Sequence, residues 1–286
     1  MTTTREHDRP GSASLAVSTV IFALRSDEGI AAENDEPTIW LPLVRRIRDP
    51  YDGRWALPGG PLGHEEGLAD AAARSLSETT GLTSRYLEQL YAFGDVDRSP
   101  GERVVSIVYW ALVDGEEARR AQIGQNVRWF PADRLPRLAF DHNTIVDYAL
   151  WRLRTKMEYS DIARSLLGET FTLSELRAVH EAVLRRRLDP ANFRRQIDAQ
   201  GRIEATGESR RSGAHRPARL YRYAADDATG PPSPYAITPD SINPDSINPD
   251  SIAPDSITSD SITSDTINPD SAPALPTPLT TNGDPS

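Results

Sequence analysis

The chain has 286 residues, with 32 Lys and Arg against 42 Asp and Glu, 38% hydrophobic residues, 23 prolines and no cysteine. The missing cysteine excludes disulfides and thiolate chemistry. The polar start and the lack of any run of about 18 apolar residues leave a cytoplasmic protein without a membrane span as the expectation. The net charge of −10 is local, because from Ala225 onward there are ten Asp and no Glu, Lys or Arg. Residues 1–224 therefore balance, and the acidity says nothing against nucleic-acid binding upstream.

The length suits two domains. Residues 1–13 are polar and expected to be unordered. Leu15–Arg25 reads as a buried strand and Thr38–Arg46 as a second, whose Pro42 requires an edge or a bulge. Trp55-Ala-Leu-Pro-Gly-Gly is a short strand entering a glycine turn. Glu66–Thr80 has helical spacing, with Leu68, Ala72, Leu76 and Thr79 on one face. Tyr86–Phe93, Arg103–Val113 and Asn126–Phe130 are further strands. Strands and helices without a βαβ repeat predict an α/β/α sandwich around a mixed sheet. A helix from Asn143 to Tyr159 closes this domain.

The character then changes. At Phe171-Thr-Leu-Ser-Glu-Leu, Thr172 can cap a helix, Glu175 can reach back, and Phe171 can staple against Leu176. Asp189-Pro190 opens the next helix with a cap residue and a proline at the first position. Strands Arg202–Thr206 and Ala218–Tyr223 follow, joined by a basic loop. Two helices and a hairpin in this order predict a winged helix-turn-helix domain. Beyond Ala225 the chain repeats Asp every five residues from Asp240 to Asp270, a composition expected to remain a disordered acidic tail.

Two segments carry chemistry. Gly60-x5-Glu66-x7-Arg74-x-Leu76-x-Glu78-x-x-Gly81-Leu82 resembles the Nudix box, which reads G-x5-E-x7-R-E-U-x-E-E-x-G-U with U aliphatic. Carboxylates at helix positions i, i+3 and i+4 share one side of a turn, where they hold Mg²⁺ against a diphosphate. Here those positions are Ser75, Glu78 and Thr79, so two of three carboxylates are replaced by hydroxyls. A hydroxyl is a weak Mg²⁺ ligand and no general base at neutral pH without an activator. Metal binding is therefore expected to be weak or absent, with Glu78 the one ligand if any, and no catalytic residue is assigned. In Nudix proteins, Glu66 and Arg74 mainly hold the loop to the helix. For a bound nucleotide, Arg46, Arg98 and Arg103 offer forks to phosphates. Trp55 and Phe93, with Tyr51 nearby, offer rings to a base; Gly60 and Glu78 complete the expected effector site.

The second segment, Arg185–Arg222, has eleven arginines against four acidic residues. On a helix over Pro190–Ala199, Phe193 and Ile197 face inward, leaving Asn192, Arg194 and Arg195 for base edges in the major groove. Arg210, Arg211, His215 and Arg216 crowd the following loop as a wing gripping phosphates would. Thr172 and Ser174, opening the first helix of the pair, complete the expected DNA contacts.

A Nudix domain followed by this winged helix resembles the Nudix-related transcriptional regulators of NAD biosynthesis in bacteria. The resemblance rests on WALPGGPLGHEEGLADAAARSLSETTGL, YLEQLYAFGDVDRSPGERVVSIVYWALV and the segment from Phe171 to Tyr223. It implies an effector-binding domain over 14–157 and a DNA-binding domain over 158–224, flanked by 1–13 and the tail 225–286. It further implies a homodimer on a palindromic double-stranded operator, repressing NAD synthesis or salvage genes and released by ADP-ribose or a related nucleotide, with no cofactor required. The rival expectation is an active ADP-ribose pyrophosphatase with an accessory winged helix. Lys156, the chain's one lysine, lies on the helix joining the domains, where loss of its charge could reach DNA binding.

Overall fold

A computed structural model describes residues 13–26, 37–84, 86–121, 125–211 and 217–224. Strand β1, Ser14–Arg25, is the centre of the first domain. Its residues alternate between two apolar layers, as a strand buried on both faces must. Val20 and Phe22 face one layer and Ile21 and Ala23 the other, all fully buried. The remaining strands are β2 (Thr38–Arg45), β3 (Trp55–Ala56), β4 (Gly59–Pro61), β5 (Tyr86–Phe93), β6 (Val104–Val113) and β7 (Val127–Pro131). The sheet runs β3-β2-β1-β6-β5, with β4 on β1 and β7 on β2. β1 pairs in parallel with β6 and the other pairings are antiparallel, so the expected mixed sheet is found.

Pro42 is tolerated because of where β2 leaves β1. Ile39 and Arg45 bond towards the β7 side, through Ala132 N–H to Ile39 O and Arg45 N–H to Asn126 O. Even-numbered residues of β2 therefore direct their amides the other way, and pairing with β1 has stopped at Trp40. The missing N–H of Pro42 falls where no ladder asks for one. Gly59 is fixed by close approach: a Cβ there would stand 2.4 Å from the Val17 carbonyl oxygen, which lets β4 lie against β1.

Helix α1, Leu68–Thr80, starts two residues later than the spacing predicts and covers one face of the sheet with Ala71, Ala72 and Leu76. The short helix α2, Gly115–Arg120, capped by Asp114, was not anticipated. On the opposite face α3, His142–Tyr159, lies against Val20, Phe22, Trp110 and Leu112 through Ile145, Val146, Ala149 and Leu153. Lys156 on α3 donates to the Tyr86 hydroxyl at 2.8 Å and bonds Glu88 of β5. Burial, then Glu88, push the Tyr86 hydroxyl pKa well above the usual range.

After a 3₁₀ turn, Ile162–Leu166, the second domain consists of α4 (Leu173–Leu184), α5 (Pro190–Gln200), β8 (Ile203–Arg210) and β9 (Ala218–Tyr223). Both predicted caps form. Thr172 and Glu175 close a capping box, and Asp189 accepts from Asn192 N–H at 2.8 Å. β8 runs four residues beyond its expected end at Thr206. Phe171 adds a third short edge to the hairpin by exchanging backbone bonds with Tyr221 at 2.9 and 2.8 Å. Leu176, Val179, Val183, Phe193 and Ile197 join the core cluster containing α3 and the sheet, so the two domains share one continuous apolar interior. Among the described residues, no helix is long and apolar enough to cross a membrane. The segment 1–12 and the repeats from Ala225 on lie outside the described residues.

Candidate functional site

A cavity of about 760 Å³ opens between the C-terminal end of β2, the glycine turn at β4, helix α1 and the entry to α3, within the size range of small-molecule sites. Arg45, Arg46, Arg48, Arg74 and Arg98 line it against Asp49, Glu78 and Glu102. This balance favours an anionic ligand. Ile47, 70% exposed, and the ring of Phe140 add apolar surface.

The Nudix-like turn is locked by ion pairing. Arg74 reaches Glu66 with two bonds of 2.7 and 3.0 Å, and Glu66 accepts from Gly63 N–H at 3.3 Å. The Arg74 guanidinium holds the Glu66 carboxyl below the usual carboxylate range. Glu78, its side chain 64% exposed, also bonds Arg74 at 3.3 Å. Ser75 and Thr79 are buried; the Thr79 hydroxyl donates to the Ser75 carbonyl at 2.7 Å, and Ser75 Oγ has no partner among the described residues. No group of three or more His, Cys, Asp or Glu among the described residues could hold a metal ion. One carboxylate already bonded to arginine and two neutral hydroxyls do not fit a Mg²⁺ site, which asks for several hard anionic oxygens.

The opposite wall holds the groups with the strongest burial. Arg98 has a side chain only 4% exposed and grips Asp141 with two bonds, 3.0 and 2.7 Å. Arg46 lies over Phe140 at 4.7 Å and donates to the Pro50 carbonyl at 2.8 Å. His142 is buried and its Nδ1 accepts from Leu57 N–H at 2.9 Å. Burial pushes its pKa down to about 4, so the ring is neutral near pH 7.

Of the residues expected to take an effector, Arg46, Gly60, Glu78 and Arg98 line this cavity, whereas Trp55, Phe93 and Arg103 do not. Trp55 packs edge-on against Phe130 at 5.1 Å, and Phe93 packs against Tyr91 and Tyr148 of a separate aromatic cluster. Arg103 donates to the backbone carbonyls of Asp95 and Val104. Phe140 and His142 line the cavity and Asp141 backs it, with no sequence motif marking any of the three. Asp141 is 43 residues from Arg98 in the chain, and no local pattern announces the pair.

On the second domain, α5 buries Phe193 and Ile197 and exposes Asn192, Arg194 and Arg195, as its periodicity predicts. Arg195 bonds the Asn192 side chain, and Arg194 faces Asp198 at 3.5 Å. Arg210 docks β8 onto the α4 N-terminus through Glu175 at 2.7 Å and the Thr170 carbonyl at 3.2 Å. Arg211 and Ser174 are exposed. Thr172 is 9% exposed and its hydroxyl accepts from Glu175 N–H, capping α4. His215 and Arg216 lie outside the described residues.

Fold and cavity together define a Nudix-type domain sharing its core with a winged helix. Residues 21–149 match the NUDIX domain model and residues 163–223 match the NrtR DNA-binding winged helix domain. Over 198 residues the chain is 34% identical to the ADPR responsive transcriptional repressor NtrR of Acinetobacter baylyi, covering 68% of this chain and 79% of that one. It superposes on the crystal structure of Shewanella oneidensis NrtR complexed with a 27mer DNA with a TM-score of 0.63 and 32% identity, covering 73% of this chain and 93% of that one. The ADP-ribose pyrophosphatase of Methanocaldococcus jannaschii is 35% identical over 111 residues, 38% of this chain and 66% of that enzyme. The chain belongs to the NrtR family of Nudix-related transcriptional regulators.

Proposed function

We propose that this chain is a transcriptional repressor of NAD synthesis or salvage genes whose Nudix-type domain reads ADP-ribose, or a related NAD-derived nucleotide, and releases DNA in response. The observation that carries the reading is an arginine-rich cavity of about 760 Å³ built into the same core as a winged helix. In this reading Arg46 and Arg98 take the phosphates, and their place in the cavity lining, with open space at Gly60 and Glu78 beside it, supports the assignment. DNA is held by α5 through Asn192, Arg194 and Arg195, with Ser174, Arg211 and the wing residues His215 and Arg216 on the backbone. The effector domain covers 14–157 and the DNA-binding domain 158–224, with the protein acting in the cytoplasm. Two copies related by a two-fold axis fit a palindromic operator.

Hydrolysis is lost in this reading, because Ser75 and Thr79 stand where metal-binding carboxylates are needed. A gel shift on the protein's own upstream DNA, titrated with ADP-ribose, NAD and nicotinamide mononucleotide, tests it, with the nucleotides then assayed for cleavage. Release of DNA by intact ADP-ribose is expected. Mg²⁺-dependent formation of AMP, abolished by Glu78→Gln, would instead establish a pyrophosphatase. DNA binding indifferent to all three nucleotides would leave the cavity without a regulatory role.

A further inference from the structure

The residue at the N-cap of α3 does not cap it. Asp141 makes no side-chain bond to the helix, and its carboxylate is turned to Arg98 instead. The diversion carries a conformational cost, because the orphan amides at a helix start are the natural partners of an Asp in this position. The preceding residue, Phe140, has φ +55°, a region that a bulky side chain rarely occupies. Its ring is held between Arg46, at 4.7 Å, and Tyr51, at 5.0 Å. Arg98, Arg46 and Phe140 all line the cavity. A strained residue, a diverted cap and a buried arginine therefore meet on one wall, at the point where the chain enters α3.

We propose that Arg98 and Asp141 form a latch, opened when a phosphate of the bound nucleotide takes the Arg98 fork from Asp141. This rests on the reading that the cavity receives an anionic nucleotide. The Asp141 carboxylate then has a second set of partners waiting, the amides of Asn143 and Thr144 in the first turn of α3. Two discrete hydrogen-bonding arrangements of one carboxylate make a two-state element, and a ligand shifts it by its differential affinity for the two. The motion has a route to the DNA-binding domain. α3 has 18 residues, about 27 Å of rigid rod. Its far half touches α4 through Arg154, which donates to the Val183 carbonyl at 3.2 Å. The hydrophobic cluster of α3 extends to α4 and α5, which gives a tilt of α3 a packed route to the DNA-binding domain.

The test uses the full chain, its upstream operator DNA read by fluorescence anisotropy, and ADP-ribose binding read separately by calorimetry. In the wild type, ADP-ribose should weaken operator binding by about tenfold or more. Asp141→Asn, with the latch permanently weakened, should bind ADP-ribose more tightly and hold the operator less well without it. Its response to added ADP-ribose should fall to within about twofold. Wild-type operator affinity together with a full response in Asp141→Asn overturns the latch. Hydrogen exchange on the wild type is independent of any variant's folding: ADP-ribose should slow exchange at Asn143 and Thr144, and unchanged or faster exchange refutes the proposal. A wild type that takes up no ADP-ribose sinks the nucleotide reading and the latch with it. Uptake without these effects sinks the latch alone.

Discussion

Acidification should destabilise the folded protein through His142, and the size of the effect follows from its surroundings. The ring is buried against the cavity wall with Nδ1 accepting from Leu57 N–H at 2.9 Å. Burial lowers its pKa from an ordinary 6.5 to about 4. Between these values the unfolded chain takes up a proton that the folded protein refuses. Stability contributed by the neutral ring is therefore complete above about pH 6.5 and falls as pH drops towards 4, by about 1.4 kcal/mol per unit. From pH 7 to 4.5 the loss at this one site is about 2 to 3 kcal/mol. His142→Asn keeps an acceptor near Leu57 and removes the titration. Urea unfolding of both proteins at pH 7, 6, 5 and 4.5 should give stability curves that diverge, with the variant's the flatter. His180, also pushed down to about 4 by burial, contributes equally to both and cancels in the difference. Parallel curves across this range would refute the burial argument.

Arg211→Ala should weaken DNA binding across sequences and reduce the slope of log affinity against log salt by about one, as expected for the loss of one phosphate contact; an unchanged slope removes Arg211 from the interface. Glu175→Ala breaks the capping box and removes one of the two bonds that tie Arg210 to the α4 N-terminus. It should lower stability by about 1 kcal/mol in thermal or urea unfolding, and a neutral result would mean the cap is dispensable. Lys156→Gln removes the ammonium that Glu88 and the Tyr86 hydroxyl share in a half-buried site, leaving Glu88 facing Arg152 at 3.8 Å. A loss of about 1–3 kcal/mol in the same assay is expected.

The sequence was most legible where local chemistry decides the structure. Spacing alone marked the Nudix-like turn, because Glu66, Arg74 and Glu78 are tied to each other within a single loop and helix. Asp189-Pro190 and Thr172 with Glu175 marked two helix starts because each satisfies amides only three residues away. The apolar runs of β1 and β6 disclose strands but not which face each residue serves, which depends on helices far along the chain. The pocket wall shows the limit of such reading. Trp55 and Phe93 had the right chemistry to stack on a base, yet neighbouring rings claim them. Nothing in the residues around position 98 indicates that its partner is Asp141. Residue type alone suits Thr172 to a cap or to a DNA contact; the structure shows the cap, with the hydroxyl accepting from Glu175 N–H.

The parallel pairing of β1 with β6 has a consequence for how the protein is made. From Ser14 to Ala23, each residue of β1 meets a partner ninety positions later, Ser14 with Val104 and Ala23 with Val113. At about 5–20 residues per second, a ribosome needs roughly 5 to 20 seconds to deliver that partner. During this interval the fully buried middle of β1, Val20 to Ala23, has left or is leaving the exit tunnel with one of its two neighbours unavailable. Its other partners arrive earlier but cover only its ends, β2 from Ala23 to Arg25 and β4 from Ala16 to Ser18. The middle of β1 is thus the stretch most in need of a chaperone's attention during synthesis, and the place where slowed translation between residues 26 and 104 would most promote aggregation.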